Sequence, residues 1–162
     1  AYPAMKHEVV CINRTRRRIP TERIQYDIRA AVAEVRRKRW TGRLPPVITV
    51  VFLPDRESAL LNRRFRKKSR AANVLSFHFG REGEVIVAPA TISREAHSRG
   101  HPFGEELRRM VIHGLIHLTG QHHESSRRAG ARFNRMAFHL ERHLRIQLAG
   151  RRGVEPIRSG RA

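Results

Sequence analysis

The sequence predicts a single α+β domain built on one mixed sheet of about four strands, with four or five helices lying mainly on one face. Three observations lead there. Four short runs rich in β-branched and aromatic residues recur along the chain, at His7 to Asn13, Val47 to Leu53, Val74 to Phe79 and Glu84 to Ala88. Longer stretches with apolar residues at helical spacing lie between and after them. The two kinds of segment do not alternate strictly, because the last two strand runs follow one another across a short turn, which excludes a repeating βαβ plan. The order of strands in the sheet does not follow from these patterns.

Each element has its own justification. His7 to Asn13 (H-E-V-V-C-I-N) is short, β-branched and bounded by polar residues, hence a strand, and Arg14 to Arg18 is a basic loop. Pro20-Thr21-Glu22 opens a helix through about Arg37, with Ile24, Ile28, Val32 and Val35 as its apolar stripe. The basic run Arg36 to Arg39 closes it favourably for the helix dipole. After a turn at Gly42 to Pro46, Val47 to Leu53 is almost continuously apolar, the signature of a central strand covered on both faces. Pro54-Asp55 starts a helix over about Arg56 to Phe65 that turns Leu60 and Leu61 inward. Val74 to Phe79 and Glu84 to Ala88 form a hairpin around a turn at Arg81 to Gly83. A short helix is expected at Ile92 to Arg99, a loop at Gly100 to Gly104, and a longer helix at Glu105 to Thr119, with two acids in its first turn. Ser125 to about Leu148 is helical, and Phe133, Met136, Leu140 and Leu144 are spaced to pack against its neighbour. Residues 1–150 are thus the domain, and 151–162, basic and containing Gly and Pro, a disordered tail.

Composition narrows the function. With 162 residues the chain can bury a core without staples, and its single cysteine, Cys11, excludes an intrachain disulfide framework and fits a reducing compartment. There is no apolar run long enough to span a membrane, and Ala1 to Cys11 lacks the apolar stretch of a signal peptide, so an intracellular, cytoplasmic protein is expected, organellar if the source is eukaryotic. The formal net charge is +20, from 34 Lys and Arg against 14 Asp and Glu, which favours a polyanionic partner such as nucleic acid. All the basic residues except Lys6, Lys38, Lys67 and Lys68 are arginine, as coding bias would produce, but bias does not explain so few acids. An anionic membrane is the weaker partner, since no helix joins a basic face to exposed Trp or Phe. The densest charge run, Arg63 to Arg70 (R-R-F-R-K-K-S-R), is a solvated helix end or a phosphate-binding surface, and Phe65 among the cations favours the second through base stacking.

The chemistry concentrates in Val111 to Glu124 (V-I-H-G-L-I-H-L-T-G-Q-H-H-E). On a helix, His113 and His117 lie one above the other, roughly 6 Å apart along the axis, where two imidazoles can share a cation. Thr119 lowers helix propensity and Gly120 readily adopts the left-handed conformation that ends a helix, so the turn brings His122 or His123 back toward them. The residues around the pair (Met110, Val111, Ile112, Leu115, Ile116, Leu118) are apolar, so the helix is buried and its imidazoles need partners. His113, His117, Gly120 and His123 also meet the frame H-x-x-x-H-x-x-G-x-x-H, the ligand spacing of metzincin peptidases. Three imidazoles with an open fourth position describe a catalytic zinc site. The peptidase base is missing, because Gly114 stands where those enzymes carry glutamate.

These residues resemble the YbeY-type endoribonucleases, whose hallmark H-G-x-L-H-L-x-G-Y-D-H corresponds to H-G-L-I-H-L-T-G-Q-H-H at His113 to His123. Leu61 to Arg66 (L-N-R-R-F-R) is similar to that family's L-N-x-x-[YF]-R, Asn73 to Phe77 (N-V-L-S-F) to [DN]-V-L-S-F, and Gly83-Glu84-Val85 to G-D-I. The similarity covers roughly Val47 to Leu148. It implies a zinc-dependent, single-strand-specific endoribonuclease acting in ribosomal RNA maturation, at the small-subunit 3′ end, and in ribosome quality control, with ribosomal RNA and the ribosome or its proteins as partners. It implies one zinc ion on His113, His117 and His123, and catalysis by Arg66 with His113. Arg63, Arg64, Phe65, Lys67, Lys68 and Arg70 are the candidate RNA surface. Three departures stand out: Gln121-His122 replaces Tyr-Asp, Ile116 replaces leucine and Glu84 replaces aspartate. His122, in the place of a carboxylate, becomes a candidate for orienting a ligand or a water from behind the metal. The alternatives are a non-catalytic, metal-stabilised RNA- or ribosome-binding assembly factor and, with less support, a metallopeptidase.

Overall fold

The computed structural model describes residues 7–40, 44–120, 126–146 and 148. Its elements run β1 (Glu8–Asn13), α1 (Thr21–Arg37), β2 (Val47–Phe52), α2 (Asp55–Arg66), β3 (Val74–Phe79), β4 (Glu82–Val87), α3 (Pro89–Arg99), α4 (Phe103–Leu118) and α5 (Arg127–His143). Among the described residues four strands and five helices make one α+β unit, as the sequence patterns predict. The sheet order is β1-β2-β4-β3, with β1, β2 and β4 parallel and β3 antiparallel to β4. The hairpin therefore folds back so that β4 enters the sheet beside β2 and β3 becomes an edge.

Alternation along the strands divides the core. Ile48, Val50, Phe52, Val85 and Val87 face the main cluster with residues of α1, α4 and α5, whereas Leu75 and Ile86 point to the opposite face and pack with Val51, Leu61 and Phe77. β2 is central, as expected, but its second face is only half covered: Ile48, Val50 and Phe52 are buried while Val47, Thr49 and Val51 are partly exposed. Among the described residues, Leu61 of the short helix α2 packs on that side beside Leu53, Ala72 and Phe77. The hub is α4, which contacts β3, β4, α1, α3 and α5, and this accounts for the burial of Leu107, Met110, Val111, Ile112, Leu115, Ile116 and Leu118.

Buried ion pairs lock the helices in register. Arg108 of α4 grips Asp27 of α1 with Nε to Oδ2 at 2.6 Å and Nη2 to Oδ1 at 3.0 Å, and donates to the Leu144 carbonyl at 2.8 Å. Glu106, fully buried, accepts from Arg99 at 3.2 Å and Arg109 at 3.1 Å and meets His101 at 3.0 Å. Arg109 also donates to Glu141 of α5 at 3.2 Å. Glu34 takes two bonds from Arg37, at 2.8 and 2.7 Å, and one contact from His139 at 2.6 Å. Such pairs add modest net stability but are costly to break one partner at a time, by about 3–5 kcal/mol when fully buried.

Several boundaries differ from expectation. The hairpin loop is Gly80-Arg81, since Phe79 pairs with Glu82, and Gly83 lies inside β4. Leu60 is 63% exposed, because the inward row of α2 runs through Ser58, Leu61 and Asn62. α3 begins earlier, at Pro89, a residue suited to the first helical turn, and α4 begins at Phe103. α5 stops at His143, beyond which Arg145 takes a φ of 54°, and Leu148 is buried outside the helix. The expected 151–162 tail lies outside the described residues.

Candidate metal centre and its cleft

His113 and His117 leave the same side of α4 with ring centroids 5.5 Å apart. Phe133 of α5 packs against both, at 4.4 Å and 4.8 Å, and forms an apolar wall behind them. From Met110 to Leu118 every residue of α4 except His113 and His117 is buried, so the two imidazoles occupy the strip of that stretch that opens outward. That strip lines a cleft of about 1000 Å³, shared with Phe65, Arg66, Ser76 and His78. Arg109, one turn before His113 in the same row, also lines it, but its guanidinium is held by Glu106 and Glu141.

Gly114 sets the height of this strip above the sheet. A Cβ at position 114 would lie 2.4 Å from Val85 Cγ1, 2.9 Å from Val74 Cγ2 and 3.2 Å from Ser76 Oγ. Ser76 Oγ donates to the Gly114 carbonyl at 2.9 Å, pinning α4 to the edge strand. The glycine at the peptidase-base position is thus a packing necessity, with no room for a glutamate side chain. Gly120 has a φ of 83°, the left-handed turn expected after α4.

The basic segment is organised by the buried polar side of α2. Asn62, 2% exposed, donates to the Arg70 carbonyl at 2.7 Å, while Ser58 Oγ donates to the Ala72 carbonyl at 3.0 Å and accepts from the Ala72 N–H at 3.2 Å. Lys67 ends α2 in the left-handed conformation, with a φ of 59°. These bonds hold residues 67–72 against α2 and leave Arg63 to Arg70 exposed.

Of the candidate site residues, the structure brings His113, His117, Phe65 and Arg66 to one cleft. Arg63, Arg64, Lys67, Lys68 and Arg70 are exposed beside it and do not line its wall. His122 and His123 lie outside the described residues, and among the described residues no three His, Cys, Asp or Glu side chains gather as a metal cluster. The donor set that is present, two imidazoles one helical turn apart with an apolar backing, suits a borderline-soft ion such as zinc. The packing of Phe133 on the metal helix was expected from its spacing, whereas sequence reasoning missed Ser76, Phe77 and His78 at the cleft, although the alternation Val74, Ser76, His78 puts the last two polar side chains on one face of their strand. Cys11 sits on the far edge strand, where burial pushes its thiol up to about 11, partly offset by Arg29.

The fold and the site define an α+β protein that presents two imidazoles, one helical turn apart, on an open cleft. The sequence model of the family described as Endoribonuclease YbeY matches residues 10–144. An Endoribonuclease YbeY from Bdellovibrio bacteriovorus is 32% identical over 124 residues, covering 74% of this chain and 83% of that protein. The chain belongs to the YbeY endoribonuclease family. A second relative of the same description, from Aquifex aeolicus, is 37% identical over 84 residues, 48% of this chain and 56% of that protein. A solution structure of the Thermotoga maritima protein TM1509 superposes with a TM-score of 0.56 at 22% identity, covering 85% of this chain and 91% of that one, a likeness of fold.

Proposed function

We propose that this protein is a zinc-dependent, single-strand-specific endoribonuclease acting in ribosomal RNA maturation, at the small-subunit 3′ end, and in ribosome quality control. The observation that carries the proposal is the meeting of His113, His117 and Arg66 on one cleft in a chain of the YbeY family. His113, His117 and His123 would hold one zinc ion, with His122 outside the ligand set. Zinc bound there supplies a Lewis acid and acidifies a water toward neutrality. Arg66 contributes a fixed planar cation for the charge that develops on phosphorus, a task for which lysine's point charge is a poor substitute. His113 serves catalysis as a ligand, and Phe133 excludes solvent from its rear. Arg63, Arg64, Phe65, Lys67, Lys68 and Arg70 hold the RNA approaching the cleft. The working partners are ribosomal RNA and the ribosome, in the cytoplasm or an organelle. No described helix is long and apolar enough to cross a membrane.

The test is cleavage of a single-stranded oligoribonucleotide by zinc-loaded protein, chelated protein and zinc-loaded Arg66→Ala and Arg66→Lys. Cleavage should require metal, vanish in Arg66→Ala and fall sharply in Arg66→Lys, while zinc content and circular dichroism stay unchanged. Undiminished cleavage in Arg66→Ala would move the charge-stabilising role to another cation. Absence of cleavage at full zinc loading would favour the non-catalytic assembly factor. Peptide hydrolysis is not expected, because position 114 offers neither a base nor space for one.

A further inference from the structure

A strip of three aromatic rings leads from the cleft onto the face of the sheet away from α4. Phe65 at the end of α2 meets Phe77 of β3 with ring centroids 4.9 Å apart and planes at 59°. Phe77 and Phe79, two residues apart and so on one face, stack at 6.2 Å and 23°. Phe65 is 53% exposed and Phe79 58%, large values for phenylalanine that burial of the core does not explain. Phe65 and Phe77 also line the histidine cleft, so the strip leads from it over the open edge of the sheet.

The surroundings of the strip are sorted by charge. On the α2 side, the Arg64 guanidinium lies over the Phe65 ring at 5.4 Å, and Arg63, Lys67, Lys68 and Arg70 are exposed nearby in sequence. On the inner side, Glu84 pairs across from Phe77 and Glu82 from Phe79, so two carboxylates share the face of the rings. A phosphate chain is drawn to the cationic α2 end of the strip and repelled from the carboxylates beside Phe77 and Phe79. Carboxylates beside a stacking surface accept hydrogen bonds from the exocyclic amino groups of bases. The polarity matches one ligand, a single strand with its backbone on the α2 side and its bases turned inward over the rings.

We propose that Phe65, Phe77 and Phe79 form a base-stacking platform that seats the unpaired bases of single-stranded RNA and feeds the strand across the β3 edge to the histidine cleft. This rests on the endoribonuclease reading above and adds the element that demands unpaired bases, since a duplex keeps its bases stacked on one another. Sheet-borne aromatics seat bases in other single-strand readers for the same reason: every base has a π-face, whatever its sequence.

The experiment compares metal-free full-length protein, which cannot cut, binding two fluorescent probes of equal length: a single-stranded oligoribonucleotide and an abasic oligomer with the same backbone. Phe79→Ala is the informative variant, because Phe79 ends its strand and is mostly exposed. It should weaken oligoribonucleotide binding roughly five- to one-hundred-fold. It should leave abasic binding and the salt slope as they were, since no phosphate contact is lost. Phe79→Trp should retain affinity, and Phe79→Leu, apolar but without a π-face, should behave as alanine does. Equal losses on both probes, full affinity in Phe79→Ala, or full rescue by leucine would overturn the platform. Unchanged RNA binding together with loss of concentration-dependent self-association on sedimentation would make the strip a contact between copies and also overturn it. The two proposals fail separately: zinc-loaded protein that cuts RNA without base-dependent binding keeps the nuclease and loses the platform, and the converse keeps the platform alone.

Discussion

Replacing Gly114 by alanine measures how tightly the metal helix is pressed onto the sheet. The added Cβ would stand 2.4 Å from Val85 Cγ1 and 2.9 Å from Val74 Cγ2. Carbon atoms rest about 3.5–4.0 Å apart, so the first contact must open by about 1 Å. Val85 is fully buried and has no solvent to swing into. Overpacking of this kind costs about 1–3 kcal/mol. Stretching the 2.9 Å bond from Ser76 Oγ to the Gly114 carbonyl adds up to about 1 kcal/mol. Against this, alanine is favoured over glycine in a helix by about 1 kcal/mol. The balance is a loss of about 2 kcal/mol, seen as a drop of roughly 4–8 °C in Tm. Urea unfolding of metal-free protein isolates the packing cost from ligation. Val85→Ala creates room beside position 114, so the double variant should be more stable than the sum of the single losses by about 1 kcal/mol. A Gly114→Ala protein as stable as the parent, or strict additivity with Val85→Ala, would refute the close-packing argument.

Three further outcomes are expected. His117→Ala should abolish stoichiometric zinc while His122→Ala retains it, as measured by metal analysis after dialysis; zinc retained in the first or lost in the second would overturn the ligand set. Substituting alanine at Lys67, Lys68 and Arg70 should weaken RNA binding and lower the log–log salt slope by about 2, at about 0.7 per phosphate contact on a single strand. An unchanged slope would leave that run as a solvated helix end. Hydrogen bonds from Arg37 and His139 hold the Glu34 carboxyl down at about 2, below its ordinary value of 4.5. Its folded-state value is depressed, so the stabilisation is present above about pH 4.5 and is lost as pH falls toward about 2. The stability gap between the parent and Glu34→Gln, read from urea midpoints, should therefore narrow across that window, and a constant gap would contradict the assignment.

The histidine row was legible because spacing and burial are both local properties of one helix: His113 and His117 stand out against Met110, Val111, Ile112, Leu115, Ile116 and Leu118. The strand runs were legible for the same reason, while their order was not, since β2 pairs with β1 and β4 and the hairpin's first strand passes to the outside. Gly83 misled the placement of the hairpin turn. It is required inside β4, where a Cβ would lie 2.5 Å from Pro45 Cγ and 2.9 Å from Leu118 Cδ1, and local patterns do not distinguish a glycine that turns from one that makes way. Leu60 misled in the opposite sense, as an apolar residue one step off the inward row of a short helix. The aromatic strip was half visible through Phe65, but its continuation needed the tertiary contact that sets the end of α2 against Phe77, with Phe79 next along the same strand.

The burial of Asp27, Glu34, Glu106 and Glu141 against arginine and histidine partners separates the molecule's electrostatics into two compartments. Inside, these carboxylates sit within hydrogen-bonding distance of their cations and are shielded from solvent, with Arg108 buried beside Asp27. Outside, arginines dominate and face the solvent, where mobile ions screen them over a Debye length of about 8–10 Å. Ionic strength therefore acts as a selective dial. Moving from dilute buffer to high salt dismantles the attraction for a polyanion while leaving the inner clasps, and hence the shape of the cleft, nearly untouched. A strand held as proposed would therefore leave at high salt without the protein unfolding, so release and refolding would be independent events.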